Sequence, residues 1–196
     1  MIYALIVAIS YLIASIPVGL LVGKLGYGVD VREHGSGNIG ATNVLRTLGV
    51  LPAVLALLGD TAKGALAVYL GRMLLGNEVG SVLGGLAALA GHNWSVFLKF
   101  QGGKGVATGL GVILMLNPLI TFLCIVIWLA LIYFTRYVSL GSIVAAGFLP
   151  ILMFLTRQPY EHLTFSVLAA IFVIYRHHTN IKRLVAGTEN KIGQKK

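Results

Sequence analysis

The chain has 196 residues, of which 57% are hydrophobic and 11% charged, and its mean hydropathy is +0.89. A soluble domain has about 25% charged residues, so this composition excludes one, and it excludes disorder, which requires low hydrophobicity and high charge. The net charge of +9 does not require a nucleic-acid partner, because membrane proteins concentrate Lys and Arg in cytoplasmic loops and near anionic lipid.

The first apolar stretch, residues 1–23, is longer than a signal-peptide core and precedes the first basic residue, Lys24. We expect a retained span with the N-terminus outside. About 20 apolar residues cross a bilayer, and the further predicted spans are 51–72, 80–98, 105–117, 119–135, 139–155 and 162–177. The 105–117 span is short, so one helix over 105–135, kinked at Asn117-Pro118, is the alternative and gives six spans.

The basic residues decide between these topologies. With seven spans, twelve Lys and Arg fall inside, against Arg72 and Arg157 outside, whereas six spans place six inside and eight outside. The positive-inside rule therefore favours seven spans with a cytoplasmic C-terminus. We expect an all-α, polytopic membrane helix bundle that forms a single domain over residues 1–196. The twelve are Lys24, Arg32, Arg46, Lys99, Lys104, Arg136, Arg176, Lys182, Arg183, Lys191, Lys195 and Lys196.

The first polar segment, GSGNIGATN at 35–43, is followed by Arg46. It contains G-x-G-x-x-G, and Asp60 lies 20 residues after Gly40. A dinucleotide site is excluded because no strand precedes the glycines and Asp60 falls within a span. Glycines still allow close approach to an anion, successive N–H groups can form a nest, and Arg46 can bind phosphate in a bidentate manner. The alternative is a flexible turn between helices.

The second segment, FQGGKGVAT at 100–108, surrounds Lys104 with glycines where a helix begins. It is not a Walker A loop, because residue 98 is Leu and Lys104 is followed by Gly. N–H groups, helix dipole and ammonium together favour a phosphate. A membrane-interface anchor with a glycine turn is the alternative.

The third segment, YRHHTNIKR at 175–183, lies at the inner end of the last span. His177 and Asn180 are three residues apart and share one helix face, although an interfacial role is the alternative. Within the spans, Asp60 and Lys63 are expected to form an ion pair that orients the site, because intramembrane charges usually face the bundle interior in pairs. His92 is placed about one and a half turns from the inner end of span three, and Ser142 one turn into span six.

These features predict an anion pocket on the cytoplasmic side that also opens to lipid. A transporter of a phosphate ester or another organic anion is the alternative function, but it requires polar groups along a path through the membrane. No Cys, His or carboxylate spacing suggests a metal site.

Together the segments resemble the membrane-integral, acyl-phosphate-dependent (PlsY) glycerol-3-phosphate acyltransferases of bacterial phospholipid synthesis. The resemblance spans essentially the whole chain. It rests on SIPVG at 15–19, GSGNIGATN at 35–43 with Arg46, GDTAKG at 59–64, GHNW at 91–94, FQGGKGVAT at 100–108, and Arg176-His177 with Asn180.

The resemblance implies transfer of a fatty acyl group from acyl phosphate to the 1-hydroxyl of glycerol 3-phosphate, without use of acyl-CoA or acyl-carrier protein. Because acyl phosphate is already activated, we expect direct transfer without a covalent acyl-enzyme, and we expect no cofactor, metal or nucleic-acid partner. The sequence has neither an H-x-x-x-x-D nor a G-x-S-x-G motif. We expect a monomer in the bacterial inner membrane, in contact with lipid and with its active site facing the cytoplasm. The expected catalytic residues are Ser36, Arg46, Lys104, His177 and Asn180. The expected substrate-binding residues are Gly37, Asn38, Gly40, Thr42, Asn43, Gly103, Gly105 and Ser142, and the supporting residues are Asp60, Lys63 and His92.

Overall fold

The computed structural model describes residues 1–194 and is all-helical apart from its turns and loops over that range. Lys195 and Lys196, which enter the charge argument for seven spans, lie outside the described residues. The chain divides into two compact units, Met1–Leu116 and Asn117–Lys196. The single domain expected over residues 1–196 stays a prediction.

The first unit contains six α-helices among its described residues. Their bounds are α1 Ile2–Ser15, α2 Val18–Tyr27, α3 Ala41–Leu48, α4 Val50–Leu75, α5 Glu78–Asn93 and α6 Val106–Leu116. Two short 3-10 helices, Val31–Glu33 and Val96–Leu98, lie in the connecting segments. The second unit contains α7 Pro118–Thr135, α8 Val138–Leu155, α9 Tyr160–Arg176 and α10 His178–Val185.

The break between α6 and α7 decides one alternative from the sequence. Asn117 is extended, and its side-chain oxygen accepts a hydrogen bond from the Ile120 N–H at 3.0 Å, while Pro118 occupies the first position of α7. A proline suits that position because the N–H group that it lacks would have no hydrogen-bond partner in the first turn of a helix. The prediction of two separate helices is therefore confirmed, and the single kinked helix is wrong.

Two boundaries and one additional helix differ from the predictions. The stretch 1–23 is broken at Ile16 and Pro17 into α1 and α2, since proline cannot continue a helix from its interior. The third span was predicted to end at residue 98, but α5 ends at Asn93. His92 therefore lies at the end of its helix rather than one and a half turns inside it. The short helix α3 was not predicted.

By length and composition, four helical segments are able to cross a membrane within the described range: Ile2–Tyr27, Val50–Leu75, Pro118–Thr135 and Val138–Leu155. The helices α5 and α9 are almost as long, with 16 and 17 residues. The shorter α6 is apolar and has 11 residues. Seven spans and the orientation stay predictions.

Glycines set the distances between helices in the first unit. A Cβ atom added at Gly64 in α4 would clash with the Thr108 carbonyl oxygen of α6, and one at Gly84 in α5 would clash with the Ala67 carbonyl oxygen of α4. Gly91 meets the backbone of α1 in the same way. Small residues allow such backbone-to-backbone approach in membrane helices. The helices α1, α4, α5 and α6 are consequently held in close packing.

Candidate active site

The first glycine loop, residues 35–43, is closed on itself by Asn43. This side chain is 1% exposed, accepts the Ser36 N–H at 2.7 Å, and donates to the Val31 and His34 carbonyl oxygens at 2.7 and 3.1 Å. Gly35 and Gly37 have φ of +60° and +69°, a region that only glycine adopts readily. Asn43, predicted to bind substrate, is thus committed to loop structure by all of these bonds.

Three N–H groups of the predicted nest donate within the loop. The Ser36 N–H donates to the Asn43 side-chain oxygen, the Gly37 N–H donates to the His34 carbonyl at 3.0 Å, and the Gly40 N–H donates to the Asn38 side-chain oxygen at 2.9 Å. Binding of an anion by this loop stays a prediction. The loop presents the exposed Ser36 and, one turn into α3, the exposed Arg46. Thr42, in the first turn of α3, is half-buried.

The second glycine loop, residues 101–105, rests on the end of α5. The Gly102 N–H donates to the Asn93 carbonyl at 3.1 Å, and the Gly103 N–H donates to the His92 carbonyl at 2.9 Å. Gly105 has φ of +79°, and α6 begins immediately after it. Lys104 is half-buried between these two glycines, so the predicted placement of a lysine at a helix start is confirmed.

Strained backbone precedes the second glycine loop. Lys99 and Phe100 have φ of +52° and +63°, which costs a residue with a side chain about 1–2 kcal/mol. The turn is held by the Phe100 N–H, which donates to the Ser95 carbonyl at 2.8 Å, and by Ser95 itself, whose hydroxyl donates to the Ser15 carbonyl at 2.6 Å. A strained backbone conformation persists only where surrounding contacts hold it in place, and such conformations are often found at functional sites.

Both glycine loops border one cavity of about 320 Å³, which Arg32, Gly37, Ile39, Leu98, Gln101 and Gly102 line. Arg32 forms a bidentate pair with Asp30, with Nη2 2.6 Å from Oδ2 and Nε 2.9 Å from Oδ1. This pair, supported by Lys24 at 3.0 Å, holds the pKa of Asp30 well below its usual value. The sequence analysis named Arg32 only as a cytoplasmic charge, and it gave no role to Gln101 although that residue belongs to the second segment, 100–108.

The predicted ion pair between Asp60 and Lys63 is present in α4. Lys63 Nζ lies 2.8 Å from Asp60 Oδ1 and donates to the Ile16 carbonyl at 2.9 Å. His92 Nδ1 lies 3.6 Å from the same carboxylate oxygen. All three side chains are buried.

In the second unit, His177 is held in one tautomer. Its Nδ1 lies 2.7 Å from the Val173 carbonyl oxygen, which can only accept, so Nδ1 carries the proton of this hydrogen bond. His177 is 3% exposed and joins α9 to α10. Asn180 is also buried, and its amide nitrogen donates to Glu189 at 2.6 Å.

Glu189 organises this region, and sequence reasoning missed it. Its carboxylate accepts hydrogen bonds from Ser139 at 2.8 Å, from Asn180 at 2.6 Å and from Arg183 at 2.6 Å. Burial alone would raise its pKa, but these three donors and the Arg183 charge lower it overall. A signal existed in the sequence: Glu189 is the one acid in a tail otherwise rich in Lys and Arg.

Ser142 was predicted to bind substrate, and in α8 its hydroxyl has two partners. It donates to the Val138 carbonyl at 2.9 Å and accepts from the Trp128 indole N–H at 3.2 Å. Both contacts are of the kind that pack membrane helices. The site roles proposed for Ser36, Arg46, Lys104, His177, Asn180 and Ser142 stay predictions.

Comparison with known proteins first gives the class: the chain is an integral membrane acyltransferase. Residues 4–187 match the family described as glycerol-3-phosphate acyltransferase, and the chain belongs to that family. It is 50% identical over 193 residues to glycerol-3-phosphate acyltransferase 2 of Moorella thermoacetica, covering 98% of this chain and 99% of the relative. It is also 50% identical over 188 residues to the enzyme of Desulforamulus reducens, covering 95% and 94%.

A solved structure is similar over nearly the whole chain. The crystal structure of PlsY (YgiH), an integral membrane glycerol 3-phosphate acyltransferase, in its glycerol 3-phosphate form has 38% identity and a TM-score of 0.92, covering 97% of this chain and 96% of that one. The lysophosphatidic acid form of PlsY has a TM-score of 0.91. The family named from the sequence is thereby confirmed.

Proposed function

We propose that the chain transfers a fatty acyl group from acyl phosphate to the 1-hydroxyl of glycerol 3-phosphate, giving lysophosphatidic acid and inorganic phosphate. One observation of the structure carries the proposal: two glycine loops, one of them presenting Lys104, border the same cavity. The solved relatives, described as glycerol 3-phosphate and lysophosphatidic acid forms, support the acceptor and the product.

The proposed transfer is direct. The 1-hydroxyl oxygen forms a bond to the acyl carbon while the bond from that carbon to the phosphate oxygen breaks, and the phosphate leaves with the electron pair. Acyl phosphate is an activated mixed anhydride, so the main task of the protein is to bring two anions together in the right geometry. Arg46 and Lys104 offset the repulsion between the phosphates, and Lys104 stabilises the developing oxyanion. Ser36, Gly37, Asn38, Gly40, Thr42, Asn43, Gly103 and Gly105 complete the phosphate-binding loops.

His177, Asn180 and Ser142 position glycerol 3-phosphate in this proposal. His177 is one candidate for the base, with Nε2 as the nitrogen that takes the hydroxyl proton, and the alternative acceptor of that proton is the phosphate of the donor. The His177→Ala variant separates the two. A near-normal kcat at saturating substrate eliminates His177 as the base, whereas a large loss of kcat supports it.

The membrane arrangement is part of the proposal. Seven spans, an outer N-terminus and an active site on the cytoplasmic side of the bacterial inner membrane follow from the distribution of Lys and Arg. A monomer suffices for the reaction as written, and no cofactor takes part in it.

The test uses purified protein in detergent or lipid mesophase. Palmitoyl phosphate and glycerol 3-phosphate are supplied, and lysophosphatidic acid and phosphate are measured together, with palmitoyl-CoA as the parallel donor. Equal amounts of both products from palmitoyl phosphate alone are expected. Product from palmitoyl-CoA contradicts the proposed donor, and absence of both products from a folded preparation contradicts the proposed function.

A further inference from the structure

A buried charged network lies in α4 and α5 of the first unit. Asp60 is 1% exposed, Lys63 6% and His92 3%. Lys63 Nζ lies 2.8 Å from Asp60 Oδ1, and the same oxygen lies 3.6 Å from His92 Nδ1. Removing one member of a buried ion pair is strongly destabilising, because the remaining charge is left without a partner. This energetic constraint fixes the Asp60 carboxylate and gives the His92 ring a fixed neighbour.

The His92 ring lies between that carboxylate and the second glycine loop. A Cβ atom at Gly103 would clash with His92 Nε2, and a Cβ atom at Gly102 would clash with the His92 carbonyl oxygen. The Gly103 N–H also donates to that carbonyl at 2.9 Å. His92 therefore supports the loop through both its side chain and its backbone, directly beside Lys104.

The next residue, Asn93, continues this support. It is 0% exposed, its carbonyl accepts the Gly102 N–H at 3.1 Å, and a Cβ atom at Gly105 would lie 2.9 Å from its side-chain oxygen. The three glycines on either side of Lys104 thus pack on His92 and Asn93 without intervening side chains. Because this contact is close-packed, a shift of the His92 ring is transmitted to the backbone of Lys104.

The two nitrogens of the His92 ring face different neighbours. Nδ1 lies 3.6 Å from the Asp60 carboxylate oxygen, which is longer than a hydrogen bond, and Nε2 faces Gly103 of the loop. Lys63 orients the carboxylate and is itself tied to the Ile16 carbonyl at 2.9 Å, at the break between α1 and α2.

We propose that Asp60, Lys63 and His92 are positioning residues, which act through His92 on the second glycine loop and thereby hold Lys104 in its productive place. Their catalytic effect rests on the proposed function of Lys104, whereas their effect on the loop does not. If the three residues have a purely structural role, their removal lowers the stability of the whole protein, and hydrogen exchange in the loop rises no more than elsewhere.

Hydrogen exchange measured by mass spectrometry tests the effect on the loop without substrate. In His92→Ala, the amides of the peptide that contains Gly102, Gly103 and Lys104 are expected to exchange about tenfold faster or more, because they lose a well-packed support. Peptides from α1 and α4 are expected to stay unchanged. The matched control is Ser81→Ala, a buried polar position on α5 roughly 16 Å from His92 along the helix, which is expected to leave the loop peptide unchanged.

Kinetics test the effect on Lys104. His92→Ala is expected to lower kcat/KM about 10- to 100-fold, since small misplacements of catalytic groups have effects of that size. His92→Gln, which restores a polar group near Nε2, is expected to recover part of the loss. In a Lys104→Met background, His92→Ala is expected to add almost no further loss, because residues that act through one another are not additive.

The double variant Asp60→Asn with Lys63→Met keeps the test interpretable. Asp60→Asn alone leaves a buried ammonium without its partner and is expected to destabilise the fold, whereas the double variant removes both charges. It is expected to accelerate loop exchange in the same direction as His92→Ala. Exchange that stays unchanged in both His92→Ala and the double variant overturns the positioning role.

Multiplicative losses in the Lys104→Met background also overturn the positioning role. If the wild type forms no lysophosphatidic acid, the proposed function fails instead, and the exchange experiment alone decides whether the network holds the loop.

Discussion

The second glycine loop of the first unit differs in construction from the C-terminal cluster of the second unit, which we define as Ser139, Asn180, Arg183 and Glu189. The loop is held by main-chain hydrogen bonds and by the absence of side chains where Gly102 and Gly103 lie against His92. The cluster is held by one carboxylate that accepts hydrogen bonds from three side chains. Adding atoms should therefore disrupt the loop, whereas removing a charge should disrupt the cluster.

The largest effect is expected from the charge that the second glycine loop presents. Lys104→Met should lower kcat about 10²- to 10³-fold, as does loss of a group that stabilises an oxyanion, with little change in thermal stability. Lys99→Met, an exposed lysine five residues earlier, is the matched control and should keep near-normal activity. Initial rates of phosphate release decide it. Equal losses in both variants would mean that general positive charge, rather than the position of Lys104, matters.

Adding one methyl group to the second glycine loop should come next. In Gly102→Ala the new Cβ clashes with the backbone of His92 and Asn93, so the loop must move, and kcat/KM should fall about 100-fold. In Gly109→Ala the Cβ has only an ordinary contact, 3.5 Å from Leu89, and activity should be kept. Similar behaviour of the two variants would contradict the close packing of the loop.

Removing the charge of Glu189 should affect stability rather than packing. Glu189→Gln keeps the shape but weakens three hydrogen bonds, one of them to Arg183, which should destabilise the second unit by about 2 kcal/mol. Cys124 is the only cysteine, is 6% exposed and lies in α7, so its reaction with a fluorescent maleimide during heating reports unfolding there. Glu161→Gln, at the first turn of α9, is the control. An unchanged Tm in Glu189→Gln would show that the cluster does not depend on the charge.

The smallest effect is the pH dependence of that same group. Because the pKa of Glu189 is lower in the folded than in the unfolded protein, its contribution is fully present above the unfolded pKa of about 4.3 and is lost as pH falls through the folded pKa. The Tm difference between wild type and Glu189→Gln should therefore shrink below about pH 4. Tryptophan fluorescence on heating measures it. Asp30, whose pKa is also lowered, is common to both proteins and cancels in the difference.

The sequence predicted most of the helices and the residues of both glycine loops, because hydropathy and clustered glycines are local signals. It predicted the pairing of Asp60 with Lys63 for the same reason, since the two are one helical turn apart. It missed Glu189, whose partners Ser139 and Asn180 lie 50 and 9 residues before it and have no distinctive spacing. It also extended the third span beyond Asn93, because the apolar residues 96–98 look like helix although the chain turns there.

The first glycine loop shows a different limit of the sequence. Its glycines and amides predicted a nest of N–H groups, but the Ser36 and Gly40 N–H groups donate to Asn43 and Asn38 within the loop. The residue composition of a loop shows how many N–H donors it has, but it does not show in which direction they point. Only the fold shows that Asn43 serves the loop itself.

The glycine contacts between α1, α4, α5 and α6 have a consequence for the hydrocarbon tail of the substrate. Where the backbone of Gly64 meets Thr108, and that of Gly84 meets Ala67, two helices approach too closely for a chain of methylene groups to pass between them. On the proposed function, the tail must lie along the outside of this helix packing, where it competes with the acyl chains of the surrounding lipids. A product could then diffuse sideways into the bilayer without any of these helices separating.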